Sequence, residues 1–236
     1  MSFLLKPNSI NIGSSHTLLP PAKLQHCYSV LNNNEREQVA RFTRIDLKNR
    51  YIQAHGLLRF LLADYLNCKP ESLVFKKTTQ GKPYLSDYPQ LQFNISHSND
   101  YLLIAIAQDI AVGIDIEHIK TRKSIENLVL RCCAIEEQAY WFALPQAEKL
   151  RAFYQFWTRK EAFVKATGLG IVLGLNQCVI NPLNPNYFLA IPEQCGLINE
   201  WRLMDLTVDV HYCATVVAKA SNFEVLQNDL AYFNIG

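Results

Sequence analysis

The chain has 236 residues, of which 49% are hydrophobic and 19% charged, with a formal net charge of +2. That length suits one large domain or two small ones with a sizeable core, and so small a net charge excludes bulk electrostatic binding to nucleic acid or to a membrane. Seven cysteines form no CxxC pair and six histidines no HxxxH pair, so zinc is not expected and the thiols read as reduced core residues of a cytoplasmic protein.

The first residues, "MSFLLKPNS", carry an apolar run of only three before Lys6 and Pro7, which is neither a signal peptide nor an anchor. After Pro20 and Pro21, the asparagines at 32–34 read as a helix start leading into "EREQVARF". Residues 48–66 have helical periodicity and stop at Cys68-Lys69-Pro70. "SLVFKKT" reads as a strand and "TQGKPYL" as a turn. "LQFNISHSNDYLLIAIAQ" reads as a strand, a polar turn at 96–100 and a second strand. "VGIDIEHI" (112–119) alternates with period two, as a half-buried strand does. Helices are expected over 123–133, 135–144 and 146–167, the last ended by Gly168 and Gly170. The remainder, through "GLNQCVINP", "EWRLMDL" and "DVHYCATVVAKA", is β-rich. Both halves run from a long helix to strands. The expected fold class is therefore α+β, with an N-terminal lobe over 1–108, a C-terminal lobe over 109–236, and a ligand cleft between them.

Four stretches carry chemistry. In "VGIDIEHI", Asp115 and Glu117 point to the same side of the strand. Such hard oxygen donors suit Mg²⁺, although a solvated acidic strand face would look the same. In "FYQFWTRKEAFVKATGLGI" (153–171), Trp157, Glu161 and Lys165 fall at i, i+4 and i+8 on one helical face. The alternative there is a surface ion pair worth about 0.3–0.5 kcal/mol; the aromatic ring on the same face argues for partial burial. In "FNISHS" (93–98), Ser96, His97 and turn amides can hold a phosphate, or Ser96 merely caps a turn; no G-x-S-x-G is present. In "QGKPYL", Gly81 permits a tight turn, Lys82 adds positive charge and Pro83 sets the exit direction, but there is neither a Walker A loop nor a G-x-G-x-x-G fingerprint. A pyrophosphate ligand with one Mg²⁺ would use all four.

These pieces occur in the order "GKPYL", "FNISHS", "GIDIE" and "FWTRKEAFVKATGLGI", the last containing W-x-x-K-E-A-x-x-K with Trp157, Lys160, Glu161 and Lys165. Together they resemble the single-chain, two-lobed (Sfp-type) 4′-phosphopantetheinyl transferases. The resemblance implies a pseudo-dimer of two similar α+β lobes. It also implies transfer of the phosphopantetheine arm of coenzyme A to a serine of an apo acyl or peptidyl carrier protein, releasing adenosine 3′,5′-bisphosphate. It implies that Asp115, Glu117 and Glu161, in the C-terminal lobe, hold Mg²⁺. Glu161 would serve as ligand, base or both, and Lys165 and His97 would stabilise shifting charge. The coenzyme A contacts it implies are Arg41, Arg50, Gly81, Lys82, Pro83, Asn94, Ser96, His97, Lys160 and Lys165. One departure stands out: Glu35 and Gln38 occupy positions that are basic in some members. The segment 118–133, with Lys120, Arg122 and Lys123, is the expected dock for an acidic carrier helix, and a monomer is expected because both lobes lie in one chain. The rival readings are a coenzyme A or carrier binder without turnover, and a different Mg²⁺-dependent diphosphate-cleaving enzyme.

Overall fold

The computed structural model describes residues 6–170 and 173–233; Ile171, the last residue of the fourth motif, lies outside them. In chain order the elements are β1 (Ser9–Ser15), α1 (Pro21–Ser29), α2 (Asn33–Arg41), α3 (Ile45–Leu66), β2 (Phe75–Lys77), β3 (Pro83–Leu85), β4 (Leu91–Ser98) and β5 (Tyr101–Gln108). They continue with β6 (Val112–His118), α4 (Ile125–Cys132), α5 (Ile135–Ala143), α6 (Gln146–Thr167), β7 (Val179–Ile180), β8 (Phe188–Ala190), β9 (Arg202–Asp205), β10 (Tyr212–Ala218) and β11 (Glu224–Asp229).

The second series repeats the first. Each runs strand, three helices, a two-stranded hairpin and two more strands, and the third helix has 22 residues in both. Sheet order repeats too: β1-β5-β4 in the first lobe and β6-β10-β9 in the second, antiparallel throughout. The α+β pseudo-dimer expected from the sequence is thus the observed architecture. Local chemistry sets the ends of the helices. Asn32 and Glu35 form a reciprocal capping box on α2. Asn67 (φ 50°) and Gly168 (φ 69°) close the two long helices in the left-handed conformation.

Four layers result. On the outside of the first sheet, α3 packs Leu57, Leu58, Leu61 and Leu62 against Phe93, Ile104 and Ile106. On the outside of the second, α6 packs Phe153, Phe156 and Phe163 against Leu203 and Val217. Between the sheets, Ile10, Ile12, Leu103 and Ala105 meet Ile114, Ile116, Val216 and Ala218. Alternation on β5 explains this: Leu103 and Ala105 face the partner lobe, whereas Leu102, Ile104 and Ile106 face α3.

Three expectations change. The polar turn foreseen at 96–100 is only Asn99 (φ 52°) and Asp100, because β4 runs on to Ser98, which pairs with Tyr101. "GLNQCVINP" supplies only the two residues of β7. Most important, β11 pairs in parallel with β1, from Ser9↔Glu224 to Ser14↔Asp229. The expected C-terminal lobe of 109–236 therefore lends its last strand to the sheet of the N-terminal lobe, and Leu230 joins that lobe's core.

Candidate active site between the lobes

The site begins with a strand that a helix can lie on. On β6 the odd-numbered residues face α6. Gly113 lets the helix come down: a Cβ there would sit 2.1 Å from the carbonyl oxygen of Ala162 and 2.4 Å from the amide nitrogen of Ala166. Two residues on, Asp115 meets the Lys165 ammonium at 2.6 Å. In the folded chain, then, the cation facing Asp115 is Lys165, whose Nζ also donates to Ser96 Oγ (3.0 Å) and to the Ile114 carbonyl (3.2 Å).

One ammonium does not balance three carboxylates. Burial raises the pKa of Asp115 against the opposing pull of Lys165. Burial and then the charge of Asp115 raise that of Glu117, and burial followed by Asp115 raises that of Glu161. Asp115 is buried, and its Oδ2 has no hydrogen-bond partner. Among the described residues no three His, Cys, Asp or Glu side chains are gathered as a ready-made metal cluster. The donor chemistry nevertheless fits a hard divalent cation: oxygen ligands, excess negative charge and one orphaned carboxylate oxygen.

Of two cavities, the smaller adjoins this centre. The smaller, about 270 Å³, is lined by Gln80, Gly81, Lys82, Glu161, Lys165 and Gly168 among others. The larger, about 890 Å³, lies between α2, α3 and the strands β2 to β4, and includes Tyr51, His55, Phe75, Lys76, Lys77 and His97. Pro83 and Asn94 line both, so the two cavities are neighbours. Gly81 (φ 89°) turns the chain where a Cβ would meet nothing within 4 Å, so the backbone is open to the smaller cavity.

The remaining expected residues divide. His97 lines the larger cavity, whose walls and the charge of Lys165 pull its pKa below the usual histidine range. Arg50 sits beside His97 in a side hollow and pairs with Asp100 at 2.9 Å. Lys82 reaches across the lobes, donating to the carbonyls of Val112 (3.2 Å) and Ala166 (2.9 Å), and burial lowers its pKa to about 8. The second of these bonds places positive charge at the C-terminal end of α6, where the helix dipole favours it. Arg41 is exposed at the end of α2 and lines neither cavity.

Lys160 requires a correction. Expected among the coenzyme A contacts, it is 1% exposed, lies 2.7 Å from Glu137 and donates to the carbonyls of Leu175 and Cys178. One helical step from Glu161 turns a side chain by about 100°, so neighbours in the motif face the cleft and the core respectively. Glu35 also resolves locally. Its carboxylate accepts from Arg59 Nε (2.8 Å) and the Asn32 amide (2.8 Å), and the Glu35–Arg59 pair is internal. Burial pushes the Glu35 pKa up, but those bonds, His55 and the Arg59 charge outweigh it and hold it low.

Sequence reasoning missed Ser98 and Glu137, and left Asn94 and Ser96 without partners. Along β4, Asn94, Ser96 and Ser98 share one face and accept the backbone N–H groups of Ile114, Ile116 and His118. The period-two polar pattern N-x-S-x-S was the available signal; it reads as a turn until its partner strand is known.

The description "4′-phosphopantetheinyl transferase superfamily" matches residues 111–217, and "4′-phosphopantetheinyl transferase, N-terminal" matches residues 20–109. The 4′-phosphopantetheinyl transferase HetI of Nostoc sp. is 30% identical over 93% of this chain and 94% of its own length. This chain belongs to the 4′-phosphopantetheinyl transferase superfamily. The Bacillus pumilus 4′-phosphopantetheinyl transferase is 31% identical over 85% of this chain and 86% of its own. The mouse L-aminoadipate-semialdehyde dehydrogenase-phosphopantetheinyl transferase is 26% identical over 82% and 69%. Membership of this superfamily gives the carboxylates and lysines at the junction of the lobes, and the smaller cavity beside them, a common purpose.

Proposed function

We propose that this enzyme transfers the 4′-phosphopantetheine arm of coenzyme A to the serine hydroxyl of an apo acyl or peptidyl carrier protein, leaving adenosine 3′,5′-bisphosphate. The observation that carries this reading is the mutual charge of Asp115, Glu117 and Glu161 beside the Lys165 ammonium, with Glu161 and Lys165 lining the smaller cavity. Asp115, Glu117 and Glu161, all in the second lobe, would hold Mg²⁺, which when bound supplies positive charge against the pyrophosphate. Lys165, presented by α6 into the smaller cavity, donates to the phosphate oxygens as charge shifts. His97 donates from the wall of the larger cavity, with Lys76 and Lys77 adding positive charge there. Glu161 is the candidate to take the carrier serine's proton, as metal ligand, base or both; burial raises its pKa and a bound cation would lower it. Phosphoryl transfer of this kind rests on position and charge more than on covalent catalysis.

The carrier docks on the exposed Lys120, Arg122 and Lys123, with Leu130 and Ile135, also exposed, further along the chain. An acidic carrier helix fits that mixture of charge and apolar surface. All seven cysteines are free, which supports a reducing, cytoplasmic setting. No described helix is long and apolar enough to cross a membrane. A monomer is expected because both lobes lie in one chain.

The test is intact-mass spectrometry of apo carrier proteins of fatty-acid, polyketide and peptide synthesis, each incubated with the enzyme, coenzyme A and Mg²⁺ beside an EDTA control. A gain of one phosphopantetheine that EDTA abolishes is the expected result. No gain on any carrier, with coenzyme A still bound, would make the protein a binder without turnover.

A further inference from the structure

Ser96 and Ser98 make the same pair of bonds two residues apart. Ser96 Oγ accepts from the Ile116 amide (3.2 Å) and donates to Asp115 Oδ1 (2.9 Å). Ser98 Oγ accepts from the His118 amide (2.9 Å) and donates to Glu117 Oε2 (3.3 Å). In each case one hydroxyl of β4 takes the N–H of residue n+1 of β6 and gives its proton to the carboxylate of residue n. Asn94 accepts from the Ile114 amide in the same register (2.9 Å), but the residue before Ile114 is Gly113 and offers no carboxylate.

The pattern has a structural cause. β6 pairs with β10 on one side only, so its other edge carries unpaired amides. Those amides need acceptors, and β4 of the other lobe supplies side chains in place of a backbone ladder. A serine hydroxyl has one proton to donate, and with its oxygen occupied by an amide that proton is aimed. Holding the lobes together and aiming the two carboxylates are thus a single arrangement.

We propose that Ser98 is a positioning residue for the transfer reaction, orienting Glu117 toward the metal as Ser96 orients Asp115. The proposal rests on the metal-site reading above. It predicts that the second carboxylate is only as well placed as the docking of the first lobe allows. Partners of this kind, hydrogen-bonded to a metal-ligating group, typically change metal affinity 10–100-fold when removed.

The experiment is a titration of the full-length protein with Mn²⁺ in the presence of coenzyme A and without carrier protein, read by electron paramagnetic resonance. Thermal unfolding and the Mg²⁺ concentration for half-maximal transfer are measured on the same samples. Asp115→Asn tests the metal site itself. Ser98→Ala should weaken Mn²⁺ binding about tenfold or more, with the half-maximal Mg²⁺ concentration rising in step, and Ser98→Thr, which keeps the hydroxyl, should restore both. If Ser98→Ala does not fold, the near-isosteric Ser98→Cys, a much weaker donor, should show the same weakening. Mn²⁺ binding as in wild type in whichever of Ser98→Ala and Ser98→Cys is titrated, with only the melting temperature lowered, would make Ser98 a lobe staple and overturn the proposal alone. A wild-type protein that binds no Mn²⁺ would remove the metal-site reading and this proposal with it.

Discussion

At the scale of single residues, the site depends on which groups are left unbalanced and which are satisfied. Glu161 lies near Asp115 and Glu117 and lines the smaller cavity, where it is placed to meet a ligand. Glu161→Ala should leave urea unfolding near that of wild type. Transfer should fall by more than the ~100-fold associated with losing a mere partner of a metal ligand, as measured by carrier modification in single time points. Its neighbour in the motif behaves oppositely. Lys160 and Glu137 are almost wholly buried and paired, so Glu137→Ala strands an ammonium in the core and should cost about 3–5 kcal/mol in denaturant unfolding. Lys82 provides a pH test. Its folded pKa is lowered from 10.5 to about 8, so between those values the unfolded chain binds more protons and stability contributed at Lys82 rises with pH. The burial cost is fully present below pH 8 and is relieved toward pH 10.5. Wild type should therefore gain stability relative to Lys82→Met between pH 7 and pH 10, and a constant difference would count against a buried ammonium.

At the scale of elements, close approach matters most where α6 crosses β6. Both atoms nearest a Cβ on Gly113 are backbone, so neither can rotate away. Gly113→Ala should destabilise by at least the ~1–3 kcal/mol usual for overpacking, seen as a lowered urea midpoint, and should reduce transfer because α6 carries Glu161 and Lys165. Much at this scale was legible in the sequence. The helix start at Asn32, the 22-residue α6 and the alternation of "VGIDIEHI" are patterns between near neighbours in the chain. The strands β1 and β11, like the helix α1, were not anticipated. β11, "EVLQND", has only two apolar residues, and β1 interleaves two isoleucines with small and polar residues. Neither shows a strand's apolar content until its partner is known, because the pairing itself stabilises it.

At the scale of the molecule, the repeat is broken by its last strand. In the second lobe the outer edge of β6 is met by side chains from β4. In the first lobe the equivalent edge of β1 is filled by β11. Two similar lobes thus present two different edges, and the carboxylate centre stands at the one that carries β4's serines. A chain ended after Ser221 should expose the edge of β1, an open template for pairing with other chains. It should also lose Leu230, 2% exposed over Gly13, and with it about 1.5–3 kcal/mol of burial. The expected outcome is a lower melting temperature and aggregates that grow with concentration in size-exclusion chromatography; a monomeric truncation that melts like wild type would show β11 to be dispensable.

By itself the sequence determined five of the six helices, the glycine stop of α6, the two-lobed α+β order, and the carboxylates, lysines and histidine from which a phosphoryl-transfer site is drawn. Each of those rests on residue type or on spacings of two to eight, which the backbone converts directly into a shared face. Only the tertiary structure decided which cation meets Asp115, which lysine of Lys160 and Lys165 reaches the cleft, and what Ser96 and Ser98 hold. Those partners lie between 15 and 69 residues apart in the chain. β11 finds β1 more than 200 positions away, and no local pattern encodes a partner at that distance. Such a pairing forms because the packed lobes leave one unfilled edge beside β1 and one strand able to occupy it.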